Sequence, residues 1–486
     1  MDESRHSHLR WSYLSTISTA GMQLLASATI TRFLQPRDYG LAAMAMLCAS
    51  MANYFTQLGM GRAIIQKPGL TEGNIRAAFS LSLATGFGGF ILLSALSPLL
   101  ALYFREPRLT PIIIAFGLSL IFQASSGVAG GLLRREFRIR DLAICDFLGY
   151  LLSTFGLGLP LAMKGFGVWA LVASNVSQPL IGSIAYHIAR PHPMKPTFKR
   201  ADYRHIGTFG GKASFTTSIE ALGGSLDTIL MGRLVSPTLL GIYNRSLTLS
   251  TQPGYSLSMG LTRVFHPTIA RAAERSLAEC HKILTSSERQ LMALILPFCA
   301  GAGVAAPTVI PVIFGRQWTS AVPVFQVLCV VAALDASYHL PNIQLEVLSL
   351  FRRKLLVQIT FALAFGAGVL LVAHKGIVAV ALVYAGLEVI RTNTLHLISA
   401  RSLKSSYWSL VSSWIPGLIC AFIVGFFLYF TQKYLIASDL VIPVIRLAML
   451  IALAGATTVA VYRLLYRTTV YQPWISLFRR QSQKVG

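Results

Sequence analysis

The chain has 486 residues, of which 54% are hydrophobic and 12% charged, about half the charged share of an ordinary soluble domain. Apolar runs of about 20 residues recur along its whole length, each long enough to cross a bilayer; this excludes a soluble α/β enzyme and leaves no polar stretch large enough for a separate soluble domain. The 42 Lys and Arg against 18 Asp and Glu give a formal charge of +24, but the cations sit in short loops between apolar runs, where they orient membrane spans rather than hold nucleic acid.

Taken in order, the chain predicts 14 spans. Residues 1–10 are charged, and no A-x-A-like cleavage pattern follows, so no removed signal peptide is expected. The first six spans are 11–34, 39–61, 77–103, 109–133, 142–163 and 166–189. A basic linker, 190–205, follows. Spans 7 and 8 are 206–234 and 238–264, and the polar stretch 265–288 predicts a separate amphipathic cytosolic helix. Spans 9 to 12 are 289–314, 319–350, 355–373 and 376–400. Spans 13 and 14, 407–432 and 440–466, precede a basic tail. With the N-terminus inside, 29 Lys and Arg fall on the cytosolic side and 9 on the other, which favours both termini cytosolic. The six cysteines show no C-x-x-C spacing and read as small apolar packing residues.

The chain is internally repeated. TRFLQPRDYG (31–40) and GRLVSPTLLG (232–241) share Arg-x-x-x-Pro-x-x-x-Gly at an offset of 201 residues. KGFGVWALV (164–172) and KGIVAVALV (375–383) share Lys-Gly and Ala-Leu-Val at an offset of 211. Arg134-Arg135 before span 5 matches Arg352-Arg353 before span 11. The expected architecture is therefore an all-α integral membrane protein. It has an N-lobe (1–190), a basic linker (191–205) and a C-lobe (206–400), with two further spans and a tail (401–486). Six spans per lobe put the pseudo-two-fold axis along the membrane normal, with a binding site between the lobes. Within the first repeat Arg233, Pro237 and Gly241 have counterparts and are expected to shape the turn in both halves. Asp227 and Arg245 have none; the matching positions are Ala26 and Met44.

Charges inside spans are expensive and usually functional. Span 7 carries Lys212, Glu220 and Asp227, the last two on one helix face. Span 8 carries Arg245, whose guanidinium could hold a phosphate bidentately. Snorkelling to the interface, or a structural lock with Asp227, stands level with that reading. Span 10 carries Asp335, His339, Asn342 and Glu346 at spacings of 4, 3 and 4, one polar stripe broken by Pro341. Asp335, His339 and Glu346 suit ion coupling, with interhelical hydrogen bonding as the alternative. Glu388 and Arg391 in span 12 form a natural i,i+3 pair. In span 2, Asn53 and Gln57 could meet a sugar or simply pack helices. No H-E-x-x-H, Walker loop or catalytic set is present, so neither cofactor nor metal nor enzymatic activity is expected.

Several motifs resemble the Wzx-type polysaccharide-repeat flippases, the polysaccharide transporter branch of the multidrug/oligosaccharidyl-lipid/polysaccharide exporter superfamily, and among them the colanic-acid-exporter-like group. They are RFLQPRDYGLAAMAM (32–46), LGMGRAIIQK (58–67), LLRREFRIRD (132–141), GFGVWALV (165–172), LDTILMGRLVSPTLLGIYNRS (226–246) and FGRQW (314–318). The resemblance implies a bacterial inner-membrane flippase working by alternating access. It would carry undecaprenyl-diphosphate-linked oligosaccharide repeats from the cytosolic to the periplasmic face for exopolysaccharide or O-antigen synthesis. The bilayer, a polysaccharide polymerase and export machinery would be its partners. Arg245, Asp227, Glu220, Asn53, Gln57, Arg391 and Glu388 are then the candidate cavity residues, and an ion gradient the driving force. The same fold also admits an ion-coupled small-molecule or drug antiporter. A membrane polymerase would need a sizeable periplasmic loop, which is absent.

Overall fold

The computed structural model describes residues 21–23, 25–56, 64–65, 69–194, 225–437 and 442–465. Among these, every regular element is helical. Ten helices are long and apolar enough to cross a membrane among the described residues. Of the four other expected spans, 11–34, 39–61 and 206–234 run onto residues outside the described ones, and 238–264 lies in a helix rich in Ser and Thr. The protein is a multi-pass membrane protein.

The chain divides into two compact units, Met1–Ile242 and Tyr243–Gly486. The first unit contains α1 (Pro36–Thr56), α2 (Glu72–Phe104), α3 (Leu109–Arg135), α4 (Ile139–Leu151), α5 (Leu159–Met163), α6 (Val168–Ala189) and α7 (Leu226–Leu234). One stretch of π-helix, Leu152–Gly158, joins α4 to α5 within a single span. Thr71 starts α2 with a capping box: its hydroxyl accepts from the Asn74 N–H, and the Asn74 side chain accepts from the Thr71 N–H. The core of this unit lies between α2 and α3, where Ala77, Ala78 and Phe79 meet Val128 and Leu132. A second knot joins Ala129 and Leu133 to Cys145 and Tyr186.

The boundary between the units falls within α8 (Pro237–Arg275). The second unit continues with α9 (Leu277–Phe314), α10 (Val322–Val347), α11 (Phe351–Val372), α12 (Ile377–Ser402), α13 (Tyr407–Val411), α14 (Ile415–Ala437) and α15 (Pro443–Leu465). Helix α9 is its centre, packed by α10, α14 and α15. The two C-terminal spans therefore have a structural place. Cys420, Val424 and Leu428 of α14 and Leu450 and Val461 of α15 close a core on Ala305 of α9. Side chains such as Leu363, Leu371 and Phe422 point outward from α11 and α14, as lipid-facing residues do.

The separate amphipathic helix expected over 265–288 does not exist. Its first half is the end of α8, its second half the start of α9, and the break is at Ser276 alone. Ser276 is extended (φ −163°, ψ 147°), and its hydroxyl accepts from the Glu279 N–H at 3.0 Å. A polar N-cap in the middle of the stretch splits it, and each half is extended by the apolar run it adjoins. Ser276→Ala is expected to cost about 1 kcal/mol and Ser276→Gly only a few tenths. Thermal melting of the two variants checks this, and equal losses would count against the cap.

The two repeated segments have the same local form. Each enters a helix with its proline at the first helical position, Pro36 in α1 and Pro237 in α8, where the missing N–H costs nothing. In the first, the Asp38 carboxylate accepts from the Gln35 N–H at 2.9 Å; in the second, the Ser236 hydroxyl accepts from the Leu239 N–H at 3.4 Å. Arg233 donates to the Tyr103 carbonyl at 2.7 Å and lies over that ring. The glycines do something other than shape the turn. They lie one turn inside their helices and face each other's proline. A Cβ on Gly40 would sit 1.8 Å from the Pro237 carbonyl oxygen, and one on Gly241 would sit 1.9 Å from that of Pro36. Helices α1 and α8 thus cross backbone to backbone, which small residues alone permit.

Candidate functional site

The polar residues of the second unit converge where α10 and α12 pack together. Arg391 is buried on α12. Its Nη2 donates to Glu388 Oε1 at 2.6 Å and to Asp335 Oδ1, on α10, at 3.0 Å; its Nε also reaches Glu388 Oε1, at 3.1 Å. The guanidinium carbon lies 4.1 Å from the Tyr338 ring and 4.6 Å from the Phe361 ring of α11. Both stacking and ion pairing therefore hold it in place. The Thr392 hydroxyl lies 3.4 Å from both Glu388 Oε1 and the Leu334 carbonyl. His339 Nε2 stands 3.8 Å from Asp335 Oδ2.

The sequence had divided these side chains between a substrate site (Arg391, Glu388) and an ion site (Asp335, His339). The structure brings them into one cluster. With both carboxylates ionised and His339 neutral, it carries one net negative charge. The Glu388 Oε2 atom is buried and takes no hydrogen bond among the described residues. Asp335, in contrast, keeps 31% of its side chain exposed. One monovalent cation or one proton would neutralise the cluster.

Glu346 does not join it. That carboxylate pairs with Lys354 Nζ, near the start of α11, at 2.5 Å. Eleven residues of helix separate Asp335 from Glu346, about 16 Å along the axis, so a shared face does not make a shared site. Asn342 accepts from the Tyr338 hydroxyl at 3.3 Å.

Arg245 is half-buried on α8, and its guanidinium carbon lies 5.3 Å from the Phe314 ring centre. Phe314 and Trp318 are fully buried and touch each other at 5.5 Å. Two of the sequence motifs, 226–246 and 314–318, thereby meet through one cation–π contact. Asn53 on α1 donates to Gln123 of α3 at 2.8 Å, and Gln123 donates to the Ser119 hydroxyl at 3.3 Å. Asp227 lies on α7, and its side chain is outside the described residues, as are Gln57, Lys212 and Glu220 altogether.

Two further polar groups, not singled out in the sequence, take hydrogen bonds between helices. Asp146, in α4, accepts from the Tyr186 hydroxyl of α6. Its charge inside an apolar run was the signal for it. Glu288, in α9, is completely buried and takes the Ser337 hydroxyl and the Trp414 N–H. The sequence puts it at the end of the expected cytosolic helix, and the continuity of α9 moves it inward.

The sequence profile of the polysaccharide biosynthesis protein family matches residues 29–323, more than half of the chain. The lipopolysaccharide biosynthesis protein WzxC of Escherichia coli K12 is 24% identical over 341 residues, 68% of each chain. The teichuronic acid biosynthesis protein TuaB of Bacillus subtilis 168 is 25% identical over 332 residues, 67% of each chain. In fold, the chain is similar to the lipid II flippase MurJ in an inward closed conformation. The TM-score is 0.69 over 95% of this chain and 98% of that one, at 11% identity.

Proposed function

Because the chain belongs to the polysaccharide biosynthesis protein family, we propose that it is a flippase, not an enzyme. It carries undecaprenyl-diphosphate-linked oligosaccharide repeats from the cytosolic to the periplasmic face of a bacterial inner membrane, with both termini cytosolic. The family match over residues 29–323 carries this reading. Two further findings support it: WzxC and TuaB are named for lipopolysaccharide and teichuronic acid biosynthesis, and a lipid II flippase shares the fold.

In this reading the protein works by alternating access, and the lipid tail stays in the bilayer while the headgroup crosses. The diphosphate needs a cation within the membrane. Arg245 and Arg391 are the candidates, and Arg391 faces two carboxylates and two aromatic rings. Asp227, Glu220, Asn53 and Gln57 are the proposed polar contacts for the sugars. The cluster of Asp335, His339, Glu388 and Arg391 is the proposed ion-coupling site, without Glu346. Two lobes, the linker 191–205 and the added C-terminal spans remain the proposed division of the chain.

The test is the sidedness of the lipid-linked repeat in cells depleted of the protein. Accumulation on the cytosolic face is expected; arrival at the periplasmic face at the normal rate, with no paralogue substituting, would overturn the reading. At the residue level, Arg245→Ala is expected to abolish export while the protein stays in the membrane, and Arg245→Lys to keep part of it. Wild-type export from the alanine variant would remove Arg245 from the substrate site.

A further inference from the structure

Glu288, His396, Ser337 and Trp414 meet inside the second unit, two helical turns along α12 from Glu388. Glu288, His396 and Ser337 are all wholly buried. The Ser337 hydroxyl donates to Glu288 Oε1, and Trp414 Nε1 donates to the same oxygen at 3.1 Å. His396 Nε2 lies 3.4 Å from Glu288 Oε1 and 3.4 Å from the Ser337 oxygen. Its other nitrogen, Nδ1, lies 2.8 Å from the Thr392 carbonyl. The Trp414 ring stands edge-on to the imidazole, with centroids 5.4 Å apart.

The hydrogens can be assigned by elimination. A carbonyl oxygen only accepts, so Nδ1 carries a hydrogen. Nε2 then faces two oxygens. If it also carries a hydrogen, the couple is imidazolium and carboxylate, every contact is donor to acceptor, and the net charge is zero. If it does not, its lone pair faces a carboxylate, and the buried couple carries one full negative charge. Ser337 lets both states exist. Its hydroxyl donates to Glu288 when Nε2 is protonated and can swing to donate to Nε2 when that proton has left. Trp414 keeps the carboxylate bonded in either state. Glu288 Oε2 has no hydrogen-bond partner among the described residues, so nothing else fixes the charge there.

A metal ion does not suit this place, because donors surround Oε1. From these contacts we infer that Glu288 and His396 form an exchangeable proton-binding site, separate from the Asp335–Arg391–Glu388 cluster. Loading places one proton on His396 Nε2; unloading returns it to solvent and leaves neutral imidazole beside carboxylate. Among the described residues, the groups facing the couple are Ser337 of α10, His396 and Thr392 of α12, and Trp414 between α13 and α14. The nearest other charges on α12 are Glu388 and Arg391. On α9 itself, His281 is bonded to Ser409. From α15, Tyr462 donates to the Ala293 carbonyl. The Thr392 residue joins the two sites: its hydroxyl lies against Glu388 and its carbonyl against His396.

The site carries its own reporter, since Trp414 touches both titrating groups. The experiment is a pH titration of tryptophan fluorescence on the purified full chain in detergent, with the Trp414→Phe signal subtracted; it needs no transport. A one-proton transition is expected between about pH 5 and about pH 9, the range in which a histidine exchanges its proton. His396→Gln should abolish it, and Glu288→Gln should abolish it or move it to lower pH, because the anion that favours imidazolium is gone. Ser337→Ala keeps both titrating groups and should shift the midpoint, which keeps the proposal testable if Glu288→Gln does not fold. A flat Trp414 signal, a transition that survives His396→Gln, or a midpoint unmoved by Ser337→Ala would each overturn the site.

Discussion

An alanine at Gly40 or Gly241 is expected to leave little folded protein in the membrane. The added Cβ would lie 1.8 Å or 1.9 Å from a carbonyl oxygen of the opposing helix, and the atoms it meets are backbone. No rotamer change relieves that overlap. Helices α1 and α8 must separate, and both prolines anchor the turns that would have to move. The cost should exceed the roughly 1–3 kcal/mol typical of a single overpacked core position. The measurement is the monodisperse yield and melting temperature of each variant in detergent. Gly386→Ala on α12 is the control, because a Cβ there meets nothing within 4 Å. The double variant should cost less than the sum of the two, since helices pushed apart by one methyl already admit the other. Wild-type melting of Gly40→Ala would mean that the helices do not cross as described.

The second large effect is expected at Arg391. Replacing it with alanine leaves Glu388 fully buried and facing Asp335 with no cation between them. Removing one partner of a buried ion pair costs about 3–5 kcal/mol, more than the pair itself contributes. Arg391→Ala should therefore melt far below the wild type. Adding Glu388→Gln to it should recover most of the loss by removing the stranded charge. Arg391→Lys should fall between, because it keeps the charge but loses the two-nitrogen grip on Glu388 and the contacts with Tyr338 and Phe361. If the double variant is no more stable than Arg391→Ala, burial of the charge is not what the arginine offsets.

What the sequence revealed and what it hid follow one physical line. Spans are local: a run of apolar residues needs no partner to be recognised, so the helical membrane fold was legible. The Glu388–Arg391 pair was equally local, set by one turn of helix. Asp335 joins that pair across 56 residues of chain, and only the packing of α10 on α12 selects it over Glu346 on the same stripe. The Arg-x-x-x-Pro-x-x-x-Gly pattern shared by residues 31–40 and 232–241 was legible, but a shared pattern is not contact. Nothing in either motif says that one glycine faces the other's proline. Glu288 was hidden differently: its place depends on whether α9 starts before or after it, and a single serine cap decides that.

The crossing of α1 and α8 has a consequence for the origin of the chain. Gly40 meets Pro237 while Gly241 meets Pro36, so each repeat offers the other the same small patch and receives the same carbonyl in return. That reciprocity is the mark of an isologous contact, the kind by which two identical subunits join about a two-fold axis. A half-length ancestor carrying one copy of the motif would already have had the surface to pair with itself. A duplication of such a half would have needed to invent no new contact here.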